Sequence, residues 1–222
     1  MKIIQRPSPN FDERNGLPIE YLIIHGTGMK CAEDALNRLC DESAEVSAHY
    51  TIDEEGTVYH HVAEDKRAWH AGVSSWQGQD KINARSIGVE LVNKGHEWGY
   101  HEFSDAQIDA LIKLSKEILG RHNIKHVLGH SDVAPTRKTD PGELFPWQKL
   151  AQEGIGFWRE GGEVFDGDVY EALSKIGYDI TDKQAALVAF QRHYVPEVFE
   201  SETEGEVCDL TCKRLGGFDV IA

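Results

Sequence analysis

The chain of 222 residues is acidic, with a formal net charge of −15 at pH 7. This charge argues against a nucleic-acid-binding protein, which presents a basic surface to phosphates, and against docking on anionic membranes. The apolar runs are too short for a transmembrane helix, so we expect no membrane insertion. The length suits one medium domain and a small one.

The N-terminal segment reads Met-Lys-Ile-Ile-Gln-Arg-Pro and lacks the apolar stretch of a secretory signal. We therefore expect a cytoplasmic protein. A periplasmic location is the alternative, if a signal has been removed. The cysteines Cys31, Cys40, Cys208 and Cys212 form no Cys-x-x-Cys pair. We expect them to be free thiols rather than zinc ligands or disulfides.

The first part of the chain alternates between strand and helix patterns. The apolar run Tyr21-Leu22-Ile23-Ile24 is typical of a buried strand, and residues 32–39 predict a short helix. Two β-rich runs joined by Asp-Glu-Glu-Gly predict a hairpin. The predicted strands are 21–24, 48–52, 57–62, 86–92 and 125–128.

The clearest helix pattern begins after Ser104 and continues to about residue 121. Ser104 is a suitable N-cap, and Gln107, three residues later, predicts a capping box. Apolar residues then repeat at helical spacing along one face. Together with the strands, this pattern predicts an α/β fold in which a central mixed β-sheet is flanked by helices.

A glycine- and glutamate-rich break at residues 160–163 precedes a helical tail. Three helices are predicted there, at 169–176, 182–194 and 210–215. Thr181 and Gln184 predict a capping box for the second helix. A tail of about sixty residues is near the lower size limit for independent folding. We expect one unit over residues 1–158 and a small three-helix domain over residues 163–222.

Two histidines and one aspartate suggest a metal site. His25 and His130 each follow an apolar strand, and Asp140 lies in Thr-Asp-Pro-Gly. Each residue alone has an ordinary structural interpretation, as a buried histidine or a turn aspartate. Two imidazoles and one carboxylate together match the ligands of a catalytic zinc, which keeps one position open for water. We expect one Zn²⁺ per chain, although the residues form no local motif.

Glu90 and Lys138 are the candidates for the chemistry. Glu90 lies in an otherwise apolar strand, where a glutamate is costly to bury, but an edge strand with Glu90 facing solvent is an open alternative. In a zinc pocket Glu90 could move a proton from water to a leaving amine. Lys138, two residues before Asp140, could stabilise an oxyanion or be a solvated surface lysine.

Three further residues are candidate substrate contacts. His70 belongs to the loop Trp69-His70-Ala71-Gly72, which could cover a sugar or a peptide, or be a packed Ω-loop. Arg85 and Asn93 flank the strand that carries Glu90. Their side chains suit carboxylate or amide groups of a substrate.

In chain order, these segments resemble the zinc-dependent N-acetylmuramoyl-L-alanine amidases of bacteria, which share their fold with peptidoglycan recognition proteins. The matching segments include Ile24-His25-Gly26-Thr27, Val46-Ser47-Ala48-His49-Tyr50, Ala68-Trp69-His70-Ala71-Gly72, Ser86-Ile87-Gly88-Val89-Glu90, Gly129-His130-Ser131-Asp132 and Arg137-Lys138-Thr139-Asp140-Pro141-Gly142. They cover most of residues 1–150. The resemblance implies zinc held by His25, His130 and Asp140, with Glu90 as general acid and base and Lys138 as oxyanion stabiliser.

The resemblance also implies a reaction. The family hydrolyses the amide between the lactyl group of N-acetylmuramic acid and the L-alanine of the stem peptide, in peptidoglycan turnover or recycling. Phage-type and recognition-type relatives carry a tyrosine just before the histidine equivalent to His49, and here that position is Ala48. This difference favours Glu90 as the proton carrier. The tail resembles the three-helix peptidoglycan-binding module, with Glu204 where that module has an aspartate.

Two other functions are open alternatives. A non-catalytic peptidoglycan-binding or sensing protein would use the same groove, although retention of all three ligand residues argues against it. A zinc peptidase cutting within the stem peptide would share the metal chemistry. The partner is peptidoglycan in every case: recycled anhydro-muropeptides if the protein is cytoplasmic, murein if it is exported.

Overall fold

The structure is a computed structural model that describes residues 3–218. Eight strands, ten α-helices and one 3₁₀ helix (Glu42–Ala44) are found in this range. The strands are β1 (Ile3–Gln5), β2 (Phe11–Glu13), β3 (Tyr21–Gly26), β4 (Tyr50–Ile52), β5 (Val58–His60), β6 (Lys66–Ala68), β7 (Ser86–Leu91) and β8 (His126–Gly129). The helices are α1 (Ala32–Cys40), α2 (Ile82–Arg85), α3 (Gly95–Trp98), α4 (Asp105–Arg121), α5 (His130–Val133), α6 (Trp147–Gln152), α7 (Val169–Ile176), α8 (Lys183–Tyr194), α9 (Glu197–Glu200) and α10 (Asp209–Leu215).

Six of the strands form one mixed sheet in the order β1-β5-β4-β7-β3-β8, and β2 pairs with β6. Strands β4, β7, β3 and β8 run parallel, and β4 and β5 form the predicted antiparallel hairpin. The predicted mixed sheet with flanking helices is therefore confirmed. Between residues 3 and 218, none of the helices combines the length and the apolar character that a membrane span requires.

The parallel strands bring the predicted site residues to one edge of the sheet. The carboxyl ends of β3, β7 and β8 meet there, and ligand sites of open α/β sheets lie at such edges. In the register of β3 with β7, His25 is the direct neighbour of Glu90. In the register of β3 with β8, Ile24 is the neighbour of Gly129, the residue before His130.

The two faces of the sheet are covered by different parts of the chain. Leu22 and Ile24 pack on one face in a cluster with α4, which contributes Leu111. Alternate side chains of β3 point to the other face. There Ile23 belongs to a cluster that includes Phe190 of α8.

The C-terminal helices thus share a hydrophobic core with the sheet. Leu173 of α7 and Leu215 of α10 are fully buried in the same cluster as Ile23. These helices form the third layer of the molecule, opposite α4. The division into domains at residues 1–158 and 163–222 stays a prediction. A test of it must ask whether either part folds without the core that the two parts share.

The predicted N-cap of α4 is confirmed, because the Ser104 hydroxyl accepts a hydrogen bond from the Gln107 amide at 3.1 Å. The predicted capping box is wrong. The buried Gln107 side chain donates instead to the carbonyls of Ile52 and Val92, at 2.9 and 3.0 Å. These carbonyls lie at the carboxyl ends of β4 and β7, so a tertiary partner has replaced the local one.

The second predicted capping box is also wrong. Helix α8 is capped by Asp182, whose carboxylate accepts from the Ala185 amide at 3.0 Å. Thr181 therefore lies one residue before the cap. The side chain of Gln184 donates to the Gly205 carbonyl at 3.0 Å, which ties α8 to the segment before α10.

Candidate metal centre and active site

His25, His130 and Asp140 converge at the carboxyl edge of the sheet, and their ligand atoms form a nearly equilateral triangle. The Nδ1 atoms of His25 and His130 are 3.0 Å apart. The Oδ2 atom of Asp140 lies 3.2 Å from the first and 3.1 Å from the second. Ligands 2.0–2.1 Å from a tetrahedral zinc are about 3.3 Å apart, so the triangle fits a small tetrahedral cation.

Each ligand residue is delivered by a different element. His25 ends the buried part of β3, and His130 begins α5 directly after β8. Asp140 arrives on the loop that follows α5, and its carbonyl accepts from the Ser131 amide at 2.9 Å. A Cβ on Gly129 would lie 2.9 Å from Pro141 Cδ, so glycine at this position lets the loop close on His130.

Burial and hydrogen bonding keep the two imidazoles in a ligating form. Burial lowers the pKa of His25 to about 4, so its ring is neutral at ordinary pH. The Nε2 atom of His130 lies 3.2 Å from the Ala71 carbonyl, which can only accept. His130 therefore carries its proton on Nε2 and presents the lone pair of Nδ1 to the triangle.

Asp140 is held as a carboxylate. Burial alone would raise its pKa, but the close contacts of its carboxylate with His130 and His25 outweigh burial and lower the pKa far below the usual range. Two neutral imidazoles and one carboxylate leave a divalent cation with one net positive charge. This donor set suits zinc.

Glu90 faces the triangle from the neighbouring strand. Its Oε1 atom lies 4.0 Å from His25 Nδ1, and Oε2 is buried without a hydrogen-bond partner among residues 3–218. Burial, with the charge of Asp140, raises the pKa of Glu90 to about 8. The edge-strand alternative is wrong, because β7 lies between β4 and β3. A buried carboxyl group with such a pKa beside a metal site is a candidate proton carrier.

Two cavities meet at Lys138 and Asp140. The first, which we call the Trp69 cavity, has a volume of about 170 Å³ and is also lined by Trp69, Glu90 and His130. The second, the Tyr100 cavity, has a volume of about 390 Å³. It is also lined by Asn93, Lys94, His96, Tyr100 and Arg137. The structure therefore brings Lys138 to the point where a ligand could extend in two directions from the triangle.

The three candidate substrate contacts lie in different places. His70 is buried beneath His25, with 2.9 Å between His70 Nδ1 and His25 Nε2, and it lines the Trp69 cavity. Asn93 lines the Tyr100 cavity and donates from Nδ2 to the His101 carbonyl at 2.8 Å. Arg85 precedes the amino end of β7, away from Glu90, and forms an ion pair with Glu20 at 2.8 Å.

A buried network next to His130 was not predicted. The carboxylate of Asp132 is fully buried and accepts from the Gly129 amide at 2.7 Å. It also accepts from the Tyr178 hydroxyl at 2.7 Å and pairs with His193 Nδ1 at 2.6 Å. The last two partners come from the C-terminal helical region, too far along the chain for a local pattern to show them. The network ties that region to the segment that carries a candidate ligand.

Residues 15–143 match the model of a protein family described as N-acetylmuramoyl-L-alanine amidase. The N-acetylmuramoyl-L-alanine amidase AmiD of Escherichia coli (strain K12) is 35% identical over an alignment covering 85% of this chain and 79% of that protein.

Two solved structures extend the similarity to the whole described fold. The first is a complex of AmiD from E. coli with the substrate anhydro-N-acetylmuramic acid-L-Ala-D-gamma-Glu-L-Lys. It has a TM-score of 0.77 and 32% identity, and the match covers 93% of this chain and 95% of that one. The second is AmpDH3 from Pseudomonas aeruginosa in complex with anhydromuramic pentapeptide. It has a TM-score of 0.77 and 30% identity, over 95% of this chain and 93% of the other. The site geometry, the family match over more than half of the chain and these relatives agree: the chain belongs to the N-acetylmuramoyl-L-alanine amidase family.

Proposed function

We propose that this chain is a zinc-dependent enzyme that hydrolyses the amide between the lactyl group of (anhydro-)N-acetylmuramic acid and the L-alanine of the stem peptide. The observation that carries the proposal is the triangle of His25, His130 and Asp140 with the buried carboxyl group of Glu90 beside it. Family membership makes the muramyl amide the expected bond.

His25, His130 and Asp140 would hold the zinc ion through Nδ1, Nδ1 and Oδ2. When bound, zinc supplies positive charge that polarises the amide carbonyl and acidifies a water molecule in the site. The protein's part is to keep the imidazole of His25 neutral, which burial achieves, and to keep Asp140 ionised beside the two histidines. His130 is additionally oriented by the Ala71 carbonyl.

Glu90 moves the proton in this proposal. Its carboxylate takes a proton from the attacking water as oxygen bonds to the carbonyl carbon, and then gives that proton to the amide nitrogen as the C–N bond breaks. A carboxyl group with a pKa well above 4.5 can both accept and release a proton near neutral pH. Its unpartnered Oε2 leaves it free to contact water or the leaving amine.

Lys138 stabilises the negative charge that develops on the carbonyl oxygen. Its side chain lines both cavities next to Asp140, so an ammonium group is available where a substrate carbonyl must lie. A fixed cation in a partly buried site stabilises an oxyanion more strongly than water does, because it needs no reorganisation.

We infer that anhydro-muropeptides are the substrate class. A muramyl peptide has a sugar on one side of the scissile amide and a peptide on the other. The Trp69 and Tyr100 cavities offer room on two sides of the triangle. The relatives AmiD and AmpDH3 were solved with anhydromuramyl peptides, which supports the same class here.

We place the enzyme in the cytoplasm as part of this proposal. The thiols of Cys31, Cys40, Cys208 and Cys212 are unpaired in the structure, a state that a reducing compartment maintains. Cell fractionation with the full natural gene product tests this placement. Recovery in the periplasmic fraction would overturn it and would favour murein as the substrate.

The proposed reaction is tested by incubating the pure protein with a defined anhydromuramyl tripeptide, with and without a zinc chelator, and reading the products by mass spectrometry. We expect a free peptide that begins with L-alanine, lost with chelator and restored by added zinc. Sugar that retains L-alanine would indicate a peptidase. No cleavage by zinc-loaded protein would indicate a binding protein.

A further inference from the structure

His70 lies directly beneath the candidate ligand His25 and links it to the interior of the sheet. The two rings meet edge to face, with centroids 5.0 Å apart and planes at 83°. His25 Nε2 is 2.9 Å from His70 Nδ1, and His70 Nε2 is 3.1 Å from the Ser86 hydroxyl. Ser86 in turn donates to the carbonyl of Ile82 at 2.6 Å.

The hydrogen bond from Ser86 to Ile82 determines which atom is the donor in each of the other hydrogen bonds. A carbonyl oxygen can only accept, so the single proton of the Ser86 hydroxyl points at Ile82. The Ser86 oxygen must then accept from His70, which places the His70 proton on Nε2 and leaves Nδ1 with a lone pair. His25 must donate to that lone pair from its own Nε2. Its Nδ1 atom is thereby left unprotonated and directed at the metal triangle.

We propose that His70 is a positioning residue that holds His25 in its metal-binding tautomer through a one-way hydrogen-bond chain ending at the Ile82 carbonyl. The inference deepens the proposed function, on which it rests for the identity of zinc as the metal. It gives His70 a role toward the metal ligand in place of the predicted role toward substrate. Partners of this kind orient histidine ligands in metal sites.

The protein makes room for this contact. A Cβ on Gly88 would lie 2.5 Å from His70 Cγ and 2.6 Å from Nδ1, far closer than any packed Cβ approaches. Gly88 lies on β7 between Ser86 and Glu90, on the same face of the sheet as both. The missing side chain therefore forms the slot in which the imidazole lies.

The backbone of the His70 loop is fixed as well. The amides of His70 and Ala71 both donate to Asn83 Oδ1, at 3.1 and 2.7 Å. His70 is 7% exposed, which leaves its ring little surface for a substrate. A neutral imidazole in this place also sets the tautomer of His25 without adding a further negative charge beside Asp140 and Glu90.

The test compares His70→Asn with His70→Phe in the full chain. The Asn side chain puts an amide oxygen near the position of His70 Nδ1, so it can accept from His25, whereas Phe fills the slot but cannot accept. We expect zinc affinity, measured by competition with a chromophoric chelator, to fall about 10–100-fold in His70→Phe and to stay within about threefold of the parent in His70→Asn. His61→Phe, which removes a buried histidine bonded to Thr51 instead, is the matched control and should bind zinc as the parent does.

The second measurement reads the tautomers directly. In ¹H–¹⁵N NMR spectra of the zinc-loaded protein, we expect His25 and His70 both to carry their proton on Nε2. Gly88→Ala should weaken zinc binding as His70→Phe does, because the added methyl group displaces the ring. Unchanged zinc affinity in His70→Phe, or a proton on His70 Nδ1, would overturn the proposal.

These readouts are separate from the test of function. If the parent binds zinc and His70→Phe binds it weakly, but neither cleaves the muramyl peptide, the role of His70 stands and the proposed reaction fails. If the parent cleaves the peptide and His70→Phe binds zinc as tightly as the parent, the reaction stands and the role of His70 fails.

Discussion

Glu90 shows at the scale of one residue how function and stability oppose each other. Its carboxyl group lies in an interior strand, and Oε2 has no hydrogen-bond partner among the described residues. An unpaired buried carboxylate is unfavourable, so the group holds its proton to an unusually high pH. The property that costs stability is the one that suits Glu90 to accept and release protons.

Replacing Glu90 with Gln should therefore stabilise the metal-free protein while abolishing turnover. The pKa of Glu90 is about 8 in the fold, against an ordinary value of 4.5. Between these pH values the folded state keeps a proton that the unfolded state releases, so Glu90 lowers stability as pH rises. We expect Glu90→Gln to raise the free energy of unfolding by about 1–3 kcal/mol at pH 7 and by little at pH 4.

Urea unfolding with chelator present, at both pH values, measures this difference. Zinc content of the loaded variant serves as the control, since Gln at this position leaves all three ligand residues in place. Equal stabilities of parent and variant at pH 7 would contradict the raised pKa, and turnover by the variant would contradict the catalytic role.

Replacing Lys138 should lower the rate of the reaction without changing the affinity for zinc. Lys138→Met keeps most of the aliphatic stem and removes the ammonium group, so we expect kcat to fall about 10²–10³-fold with zinc affinity undiminished. The matched control is Lys94→Met, which removes a lysine that lines only the Tyr100 cavity of the two and should change kcat little. Equal losses in the two variants would show that general positive charge is involved, not an oxyanion contact.

At the scale of elements, local pattern predicted those elements whose own residues carry a clear apolar or turn signal, even where their partners are distant. The strand at 21–24, the hairpin and helix α4 were predicted because apolar spacing and turn residues mark them. Strands β1, β2 and β6, of three residues each, were not, since they are defined by pairing with distant segments. The capping boxes failed for the same reason, because tertiary partners took Gln107 and Gln184.

Gln107 should accordingly matter more to stability than the cap it was expected to complete. Gln107→Ala removes donors to two carbonyls at the ends of β4 and β7 in a fully buried place, and we expect a loss of about 2 kcal/mol. Ser104→Ala removes a half-buried N-cap and should cost about 1 kcal/mol. Denaturant unfolding of both variants measures the two losses in free energy of unfolding. A larger loss for Ser104→Ala than for Gln107→Ala would contradict the prediction.

The residues of the candidate site also differ in whether local pattern could predict them. His25, His130 and Glu90 were predicted because each stands out against an apolar strand. The contact between His25 and His70, and the partners of Asp132, could not be predicted from spacing. They depend on how loops and helices from separate parts of the chain come to lie on one face of the sheet.

At the scale of the whole molecule, the sheet lies between α4 and the C-terminal helices. The C-terminal helices bury the face that carries Ile23 and supply Tyr178 and His193 to Asp132. Residues 3–218 therefore form two hydrophobic clusters on one sheet, and the C-terminal helices complete one of them. The C-terminal helices therefore help to hold the candidate site in place.

A chain ended after residue 158 tests whether the tail is separable. It would expose the face around Ile23 and Leu128 and strip Asp132 of two partners. We expect it to lose cooperative thermal unfolding and zinc binding, measured by circular dichroism and chelator competition. Tyr178→Phe in the full chain is the control, which removes one hydrogen bond and should cost about 1–3 kcal/mol with the fold retained. Independent folding of residues 1–158 would support two separate domains.

The buried carboxylate of Asp132 also sets an order of events during synthesis. All three candidate zinc ligands have been translated once Asp140 is made, yet His193 follows about fifty residues later. At about 5–20 residues per second, the nascent chain spends roughly 3–10 s with its ligands complete and Asp132 still without that partner. We therefore expect the support of the metal centre to be completed only after residue 193 has been translated.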